Sequence, residues 1–163
     1  MRMSRRLCLG SGPVVLFDGA NGGDTGRGGE WKHSGEIQYT SKITMSSTLI
    51  TAEHVRNDNA INYHLMYTEK KFDMSRYKKL HVIARRNMTG NYVLTRFGGV
   101  NGLGEDPWFQ EVFGENIPAA TSNTETVIDL SGITAVCSIG ILQPGDYNIS
   151  DTRYTYISKL WLE

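Results

Sequence analysis

The chain has 163 residues, of which 39% are hydrophobic and 21% charged, with 17 Lys+Arg against 17 Asp+Glu and a net charge of zero. This balance describes one ordinary folded domain and excludes both an acidic disordered chain and an overtly basic nucleic-acid binder. The zero hides a split: residues 1–99 carry 15 basic and 8 acidic side chains, whereas residues 100–163 carry 2 and 9.

Arg2, Arg5 and Arg6 precede a short apolar run that Gly10, Ser11, Gly12 and Pro13 interrupt. The pattern predicts a basic arm over residues 1–13 and no signal peptide, followed by one domain over residues 14–163. Val14 to Asp18 reads as the first strand. Residues 10–35 hold 9 of the 18 glycines and show no apolar period, which predicts a long loop that includes Trp31. Within it Asp18, Asn21 and Asp24 offer the oxygen ligands and backbone freedom of a structural calcium site; the plainer alternative is a solvated turn. Glu36 to Ser41 and Ser47 to Ala52 are the next strand candidates.

Beyond this loop the apolar period is two. Alternation puts Ile61, Tyr63, Leu65 and Tyr67 on a core face with His64 on the polar one, and Leu80, Val82 and Ala84 on a core face with His81 on the polar one. Tyr92 to Phe97 follows. Asp106 as a cap, Pro107 at a first helical position and Gly114 as a terminator predict one short helix carrying Trp108, Phe109, Val112 and Phe113. Glu125 to Leu130 and the alternating Cys137, Ile139 and Ile141 are further strands. In the last strand, Arg153 to Leu162, apolar parity changes between Ile157 and Leu160, which predicts a bulge. Cys8 and Cys137 have apolar neighbours and are expected as buried free thiols. About nine short strands with at most one short helix predict an all-β, jelly-roll-like antiparallel β-sandwich.

No HExxH, GxSxG, Walker A or strand-borne GxGxxG motif occurs, so no catalytic residue is assigned and no cofactor is required. No run approaches the roughly 18 apolar residues of a bilayer span, so no membrane insertion is expected. Lys70 to Lys79 interleave with Phe72 and Tyr77, yet solvated turns explain them better than nucleic acid does. The more useful lead is aromatic. Trp31, Trp108, Phe109 and Tyr147 fall in predicted loops or the short helix, and with Asn101, Asp106, Gln110 and Asn116 they would form a binding site for a sugar or a partner at one end of the sandwich. The competing reading has Trp108, Phe109 and Phe113 capping the core.

Two phrases carry a family resemblance. Phe72-Asp73-Met74-Ser75-Arg76-Tyr77-Lys78-Lys79-Leu80-His81-Val82 resembles the entry into a central strand of galactose-binding-like jelly rolls. Val127-Ile128-Asp129-Leu130-Ser131-Gly132-Ile133, with the terminal Tyr156-Ile157-Ser158-Lys159-Leu160-Trp161-Leu162-Glu163, resembles their closing strands. In both, an Asp and a Ser two residues on are placed to form a side-chain-supported turn. The whole plan is similar to small structural proteins of phages and prophages of Gram-positive gut bacteria. That resemblance implies a non-enzymatic virion component, a tail, capsid-fibre or host-adhesion module that binds a glycan or a neighbouring subunit and forms homo-oligomers. The alternatives are a free-standing carbohydrate-binding module and, behind it, a small glycan-cleaving enzyme with a carboxylate pair. The opposed charges of the two halves either meet as cross-strand pairs or segregate to opposite ends and stack copies head to tail.

Overall fold

Short alternating runs bounded by Gly, Asn and Asp give strands and little else. A computed structural model describes residues 12–35, 41–54, 63–89, 94–101, 110–145 and 152–163. Its strands are β1 (Val14–Asp18), β2 (Gly23–Asp24), β3 (Trp31–Gly35), β4 (Ser41–Met45), β5 (Ile50–His54), β6 (Tyr63–Thr68), β7 (Phe72–Asp73), β8 (Lys79–Arg86), β9 (Arg96–Asn101), β10 (Gln110–Asn116), β11 (Thr124–Asp129), β12 (Val136–Pro144) and β13 (Arg153–Leu162). Two single 3-10 turns, Gly19–Asn21 and Met74–Arg76, are the only helical segments among the described residues.

All pairings are antiparallel. One sheet runs β11-β8-β13-β1-β2, with β5 beside β13 and β4 beyond β5. The other runs β10-β9-β12-β6-β3, and β7 joins the start of β12. The fold is the expected β-sandwich, with four strands beyond the nine read from sequence: the two-residue β2 and β7 and the full strands β3 and β10. The predicted bulge is present: the register of β13 against β8 shifts between Ile157 and Lys159. At that point the opposite edge of β13 changes partner, from β5 along Arg153 to Ile157 to β1 along Lys159 to Leu162.

The core is built where the two sheets face each other. Phe17, Ile43, Ile50, Leu80, Val82, Ile157, Leu160 and Leu162 meet Met66, Phe97, Cys137, Ile139 and Ile141. Burial raises the pKa of the free Cys137 thiol; Cys8 lies outside the described residues. Polar ties cross the same interior. The Thr95 hydroxyl lies 2.7 Å from Gln143 Oε1 on β12 and 2.6 Å from Thr155 Oγ1 on β13. The Asp-x-Ser turns form as expected, Asp73 Oδ1 accepting the Ser75 N–H and Asp129 Oδ1 accepting the Ser131 N–H.

Four expectations are corrected. Trp31 lies in strand β3, not a loop, because pairing with β6 satisfies its backbone and its ring packs on the core. Residues 110–114 form β10 instead of the end of a helix: Gly114 sits opposite Gly98, where a Cβ on Gly98 would come within 2.1 Å of the Phe113 carbonyl, so paired glycines permit a strand approach that helix signals do not anticipate. Residues 102–109, including the proposed Asp106 cap, lie outside the described set. The parity of β6 is inverted: His64, Met66 and Thr68 are buried toward the interior, and Tyr63 and Tyr67 face outward. His81 keeps its outward face but is only 6% exposed, since it stacks on Trp161 with ring centroids 4.5 Å apart.

Opposite charges from the two halves of the chain do meet across strands, as Arg96 with Glu111 and Lys159 with Asp18. Replacing Ile139, fully buried in the facing rows, with Ala is expected to cost roughly 2–5 kcal/mol in denaturant unfolding. Val127→Ala, at a position 43% exposed, should stay within about 0.5 kcal/mol.

Candidate functional site

The outward face of the first sheet is aromatic, but its rings are already occupied. Tyr154 and Tyr156 stack on each other at 5.9 Å, and the Arg85 guanidinium sits 4.4 Å over Tyr156. Trp161 carries His81 on its face, with Lys159 Nζ 5.3 Å from its centroid. His81 is further held by Glu125, 2.6 Å from Nδ1, and by Glu163, 3.0 Å from Nε2. Cations and neighbouring rings therefore fill the faces that a ligand would use.

The second sheet differs. Registers place Lys32, Tyr67, Gly140, Gly98 and Gly114 in one line across β3, β6, β12, β9 and β10, all on the outward side. The adjacent line is Ser34, Leu65, Leu142, Arg96 and Asn116. Three consecutive glycines remove side chains from the middle of the face, leaving a band with Tyr67 at one end. Leu65 and Val100 lean over Gly140, where a Cβ would lie 3.2 and 2.9 Å from their methyl groups. A slit of about 10 Å³ lies among Leu65, Val100, Phe113 and Leu142, room for roughly one water. The slit admits nothing larger, so a larger molecule would have to lie across this face.

At the other end of the band Arg96 organises a polar fork. Its Nε and Nη2 both lie 2.9 Å from Glu111 Oε1, and its Nη1 donates to Asn116 Oδ1 at 2.7 Å. The Glu111 carboxylate rests against Gly114, where a Cβ would come within 2.0 Å of Oε1. Among the described residues Glu111 Oε2 and the Asn116 amide nitrogen take no part in the fork, which leaves one acceptor and one donor beside the band.

The candidates read from sequence separate in space. Asn116 belongs to the fork. Asn101 pairs with Gln110 at the far end of β9 and β10, and the Trp31 ring is turned to the core. Asp106, Trp108, Phe109 and Tyr147 lie outside the described residues. Tyr67, Arg96, Glu111 and the glycines were not singled out, although the Gly98-Gly99 pair and Gly140 inside apolar alternation were the available signal.

The residues proposed for calcium do not fit the ion as placed. Asp18 Oδ1 accepts the Ala20 N–H, and Oδ2 accepts from Asn21 and lies 3.3 Å from the Lys159 ammonium. The hydrogen bond from Asn21, with smaller help from Lys159 and the Ala20 N–H, lowers the Asp18 pKa. Asp24 Oδ1 accepts the Gly26 N–H. No group of three or more His, Cys, Asp or Glu that could hold a metal occurs among the described residues. None of the helices there is long and apolar enough to cross a membrane.

No family model matches the chain, and no curated protein matches it. Solved structures do share its fold. A family 29 carbohydrate-binding module from Piromyces equi is 13% identical with a TM-score of 0.53, over 92% of this chain and 88% of that one. The family 11 carbohydrate-binding module of the cellulosomal cellulase Lic26A-Cel5E of Clostridium thermocellum is 12% identical with a TM-score of 0.55, over 93% and 94%. The Endo-D glycoside hydrolase domain structure from Streptococcus pneumoniae R6 also aligns, at 8% identity and a TM-score of 0.55, but over 82% of this chain and only 21% of that one. These likenesses place the chain in the class of jelly-roll sandwiches to which those modules belong.

The Arg96–Glu111 pair is partly exposed, so a double-mutant cycle with Arg96→Ala and Glu111→Ala should give a coupling of about 1 kcal/mol or less in thermal or denaturant unfolding. A larger effect on ligand binding than on stability would mark the fork as a recognition device.

Proposed function

We propose that the chain is a carbohydrate-binding module that holds a glycan across the outward face of the second sheet and performs no chemistry on it. The observation that carries this reading is the glycine-floored band between Tyr67 and the Arg96–Glu111–Asn116 fork. A pyranose ring presents an apolar C–H face and an edge of hydroxyls that both donate and accept. Tyr67 and Leu142 supply apolar surface, and Glu111 Oε2 with the Asn116 amide supplies an acceptor and a donor. The glycines keep the middle of the face low, with Leu65 and Val100 closing over it, so the sugar rests on that apolar surface between Tyr67 and the fork.

The neighbours in fold support this reading. They include family 29 and family 11 carbohydrate-binding modules matched over most of both chains, and one family 11 structure is a complex with a β-1,3-1,4-mixed-linked tetrasaccharide. The carbohydrate-binding alternative read from sequence thus has better support than the virion component placed first there, which gains none from the neighbours. An enzyme gains little from Endo-D, because the alignment spans a fifth of that chain. Asn101 and Gln110, at the rim of β9 and β10, are proposed as secondary contacts.

Binding is measured by calorimetry or affinity electrophoresis with soluble polysaccharides chosen from a broad glycan array. Tyr67→Ala and Glu111→Ala should each weaken binding by about tenfold or more, equivalent to ~1.4 kcal/mol. Gly114→Ala should weaken it similarly by displacing the Glu111 carboxylate, and Val127→Ala on the first sheet should leave it unchanged. Absence of binding across the array, or equal losses from Val127→Ala and Tyr67→Ala, would sink the proposal.

A further inference from the structure

We infer that His33 and His64 form an acid-sensitive latch beneath the glycan face, holding edge strand β3 and strand β4 to β6 at neutral pH and releasing them on acidification. His64 is buried on the interior side of β6, and its Nδ1 accepts the backbone N–H of Ile43 at 2.7 Å. That bond crosses the sandwich, because β4 is an edge strand of the first sheet and β6 belongs to the second. A ring nitrogen that accepts an N–H carries no proton, so the neutral imidazole holds its proton on Nε2. Nε2 lies 2.9 Å from His33 Nδ1, which must then be the acceptor. One backbone donor in β4 therefore fixes the tautomers of both rings.

Protonation of either ring removes a bond from this chain. A proton on His64 Nδ1 faces the Ile43 N–H, and a proton on His33 Nδ1 faces the His64 Nε2–H. The surroundings give no compensating charge. Toward these rings β4 presents Ser41 and Ile43, β12 presents Ile141 and Gln143, and β5 presents His54, while Arg153 of β13 and Arg86 of β8 share that interior side in the rows of His54 and Ala52 and add only positive charge. Lys32, Tyr63 and Tyr67 lie on the outward face of their strands, as Lys42 and Glu53 do on theirs. Burial, and then the neighbouring His33, lowers the His64 pKa from 6.5 to about 4, and burial lowers that of His33. The unfolded chain thus binds protons that the folded one refuses, and stability is full above pH 6.5 and is lost as pH falls from there toward about 4.

The latch lies directly under the proposed glycan face. Among the described strands β3 pairs with β6 alone, and Lys32, Ser34, Leu65 and Tyr67 are outward where the two pair. Loosening β3 displaces that end of the band, so glycan affinity falls with pH. This last consequence rests on the carbohydrate-binding reading, whereas the latch itself does not.

The first measurement is a nitrogen-15 histidine titration of the wild-type protein by NMR, which should show His64 as the Nε2–H tautomer at pH 7.5 and unprotonated at pH 5.5. A His64 that titrates near 6.5, or that carries its proton on Nδ1, overturns the inference. The second compares unfolding in the wild type and in His64→Asn, whose side-chain oxygen still accepts the Ile43 N–H but does not titrate. Between pH 7.5 and 4.5 the wild-type unfolding constant should rise roughly a hundredfold more than that of the variant, from the His64 shift alone. Parallel losses in the two proteins overturn it. Glycan affinity should fall at least threefold between pH 7.5 and 5 in the wild type, and pH-independent affinity overturns the coupling to the face. A His64 that is the Nε2–H tautomer and still unprotonated at pH 5.5, with no glycan bound at any pH, rejects the carbohydrate reading and leaves the latch intact.

Discussion

The fold depends on the pairing of β13. This strand lies at the centre of the first sheet, bonded to β8 along one edge and shared by β5 and β1 along the other. The bulge between Ile157 and Lys159 turns the apolar parity so that Ile157 on one side of it and Leu160 and Leu162 on the other all face the core. Without the extra residue, one half of the strand would direct its apolar side chains to water. Because β1 and β5 both dock on β13, the strands that begin the domain stay unpaired on that edge until the last strand is in place. Most of the contacts are accordingly long-range.

The second sheet solves a different problem. Cys137, Ile139 and Ile141 of β12 face the core, while Ser138 and Gly140 on the other side are also buried, and Leu65 is fully buried on the outward side of β6. Burial on both sides and three adjacent glycines make this sheet locally thin. The Thr95–Gln143–Thr155 and His64–Ile43 bonds satisfy interior polar groups between the layers. Unpaired, each group would cost about 1–3 kcal/mol. Leu65 and Val100 close over the middle of the band, so Gly98 and Gly140 are buried and only its ends, at Tyr67 and at the Arg96 fork, are partly exposed.

Sequence alternation identified the strands best where one face alone is buried. β1 and β13 have the boundaries read from sequence, and Leu80, Val82 and Ala84 are core residues as their spacing indicates. In β6, His64 and Thr68 are interior despite being polar, because Ile43 N–H and Ile139 N–H need acceptors there. Alternation cannot assign the face of such a strand. Trp31 likewise looked like a loop aromatic because glycines surround it, yet pairing with Thr68 carries it into the sheet. The fork was illegible because Arg96 and Glu111 are fifteen residues apart and meet only through the β9–β10 register.

The class of architecture, the bulge in the last strand, the Asp-x-Ser turns and the lack of a recognisable catalytic motif are all legible in the pattern of residues along the chain. Each is a local matter, set by period, turn chemistry or contiguous residues. Tertiary structure alone decided which face of β6 is interior, which sheet leaves its aromatic and polar groups accessible, and how the histidines share their protons. Those outcomes depend on registers between strands distant in sequence, and a register is fixed by the sum of all pairings in a sheet, not by any one segment.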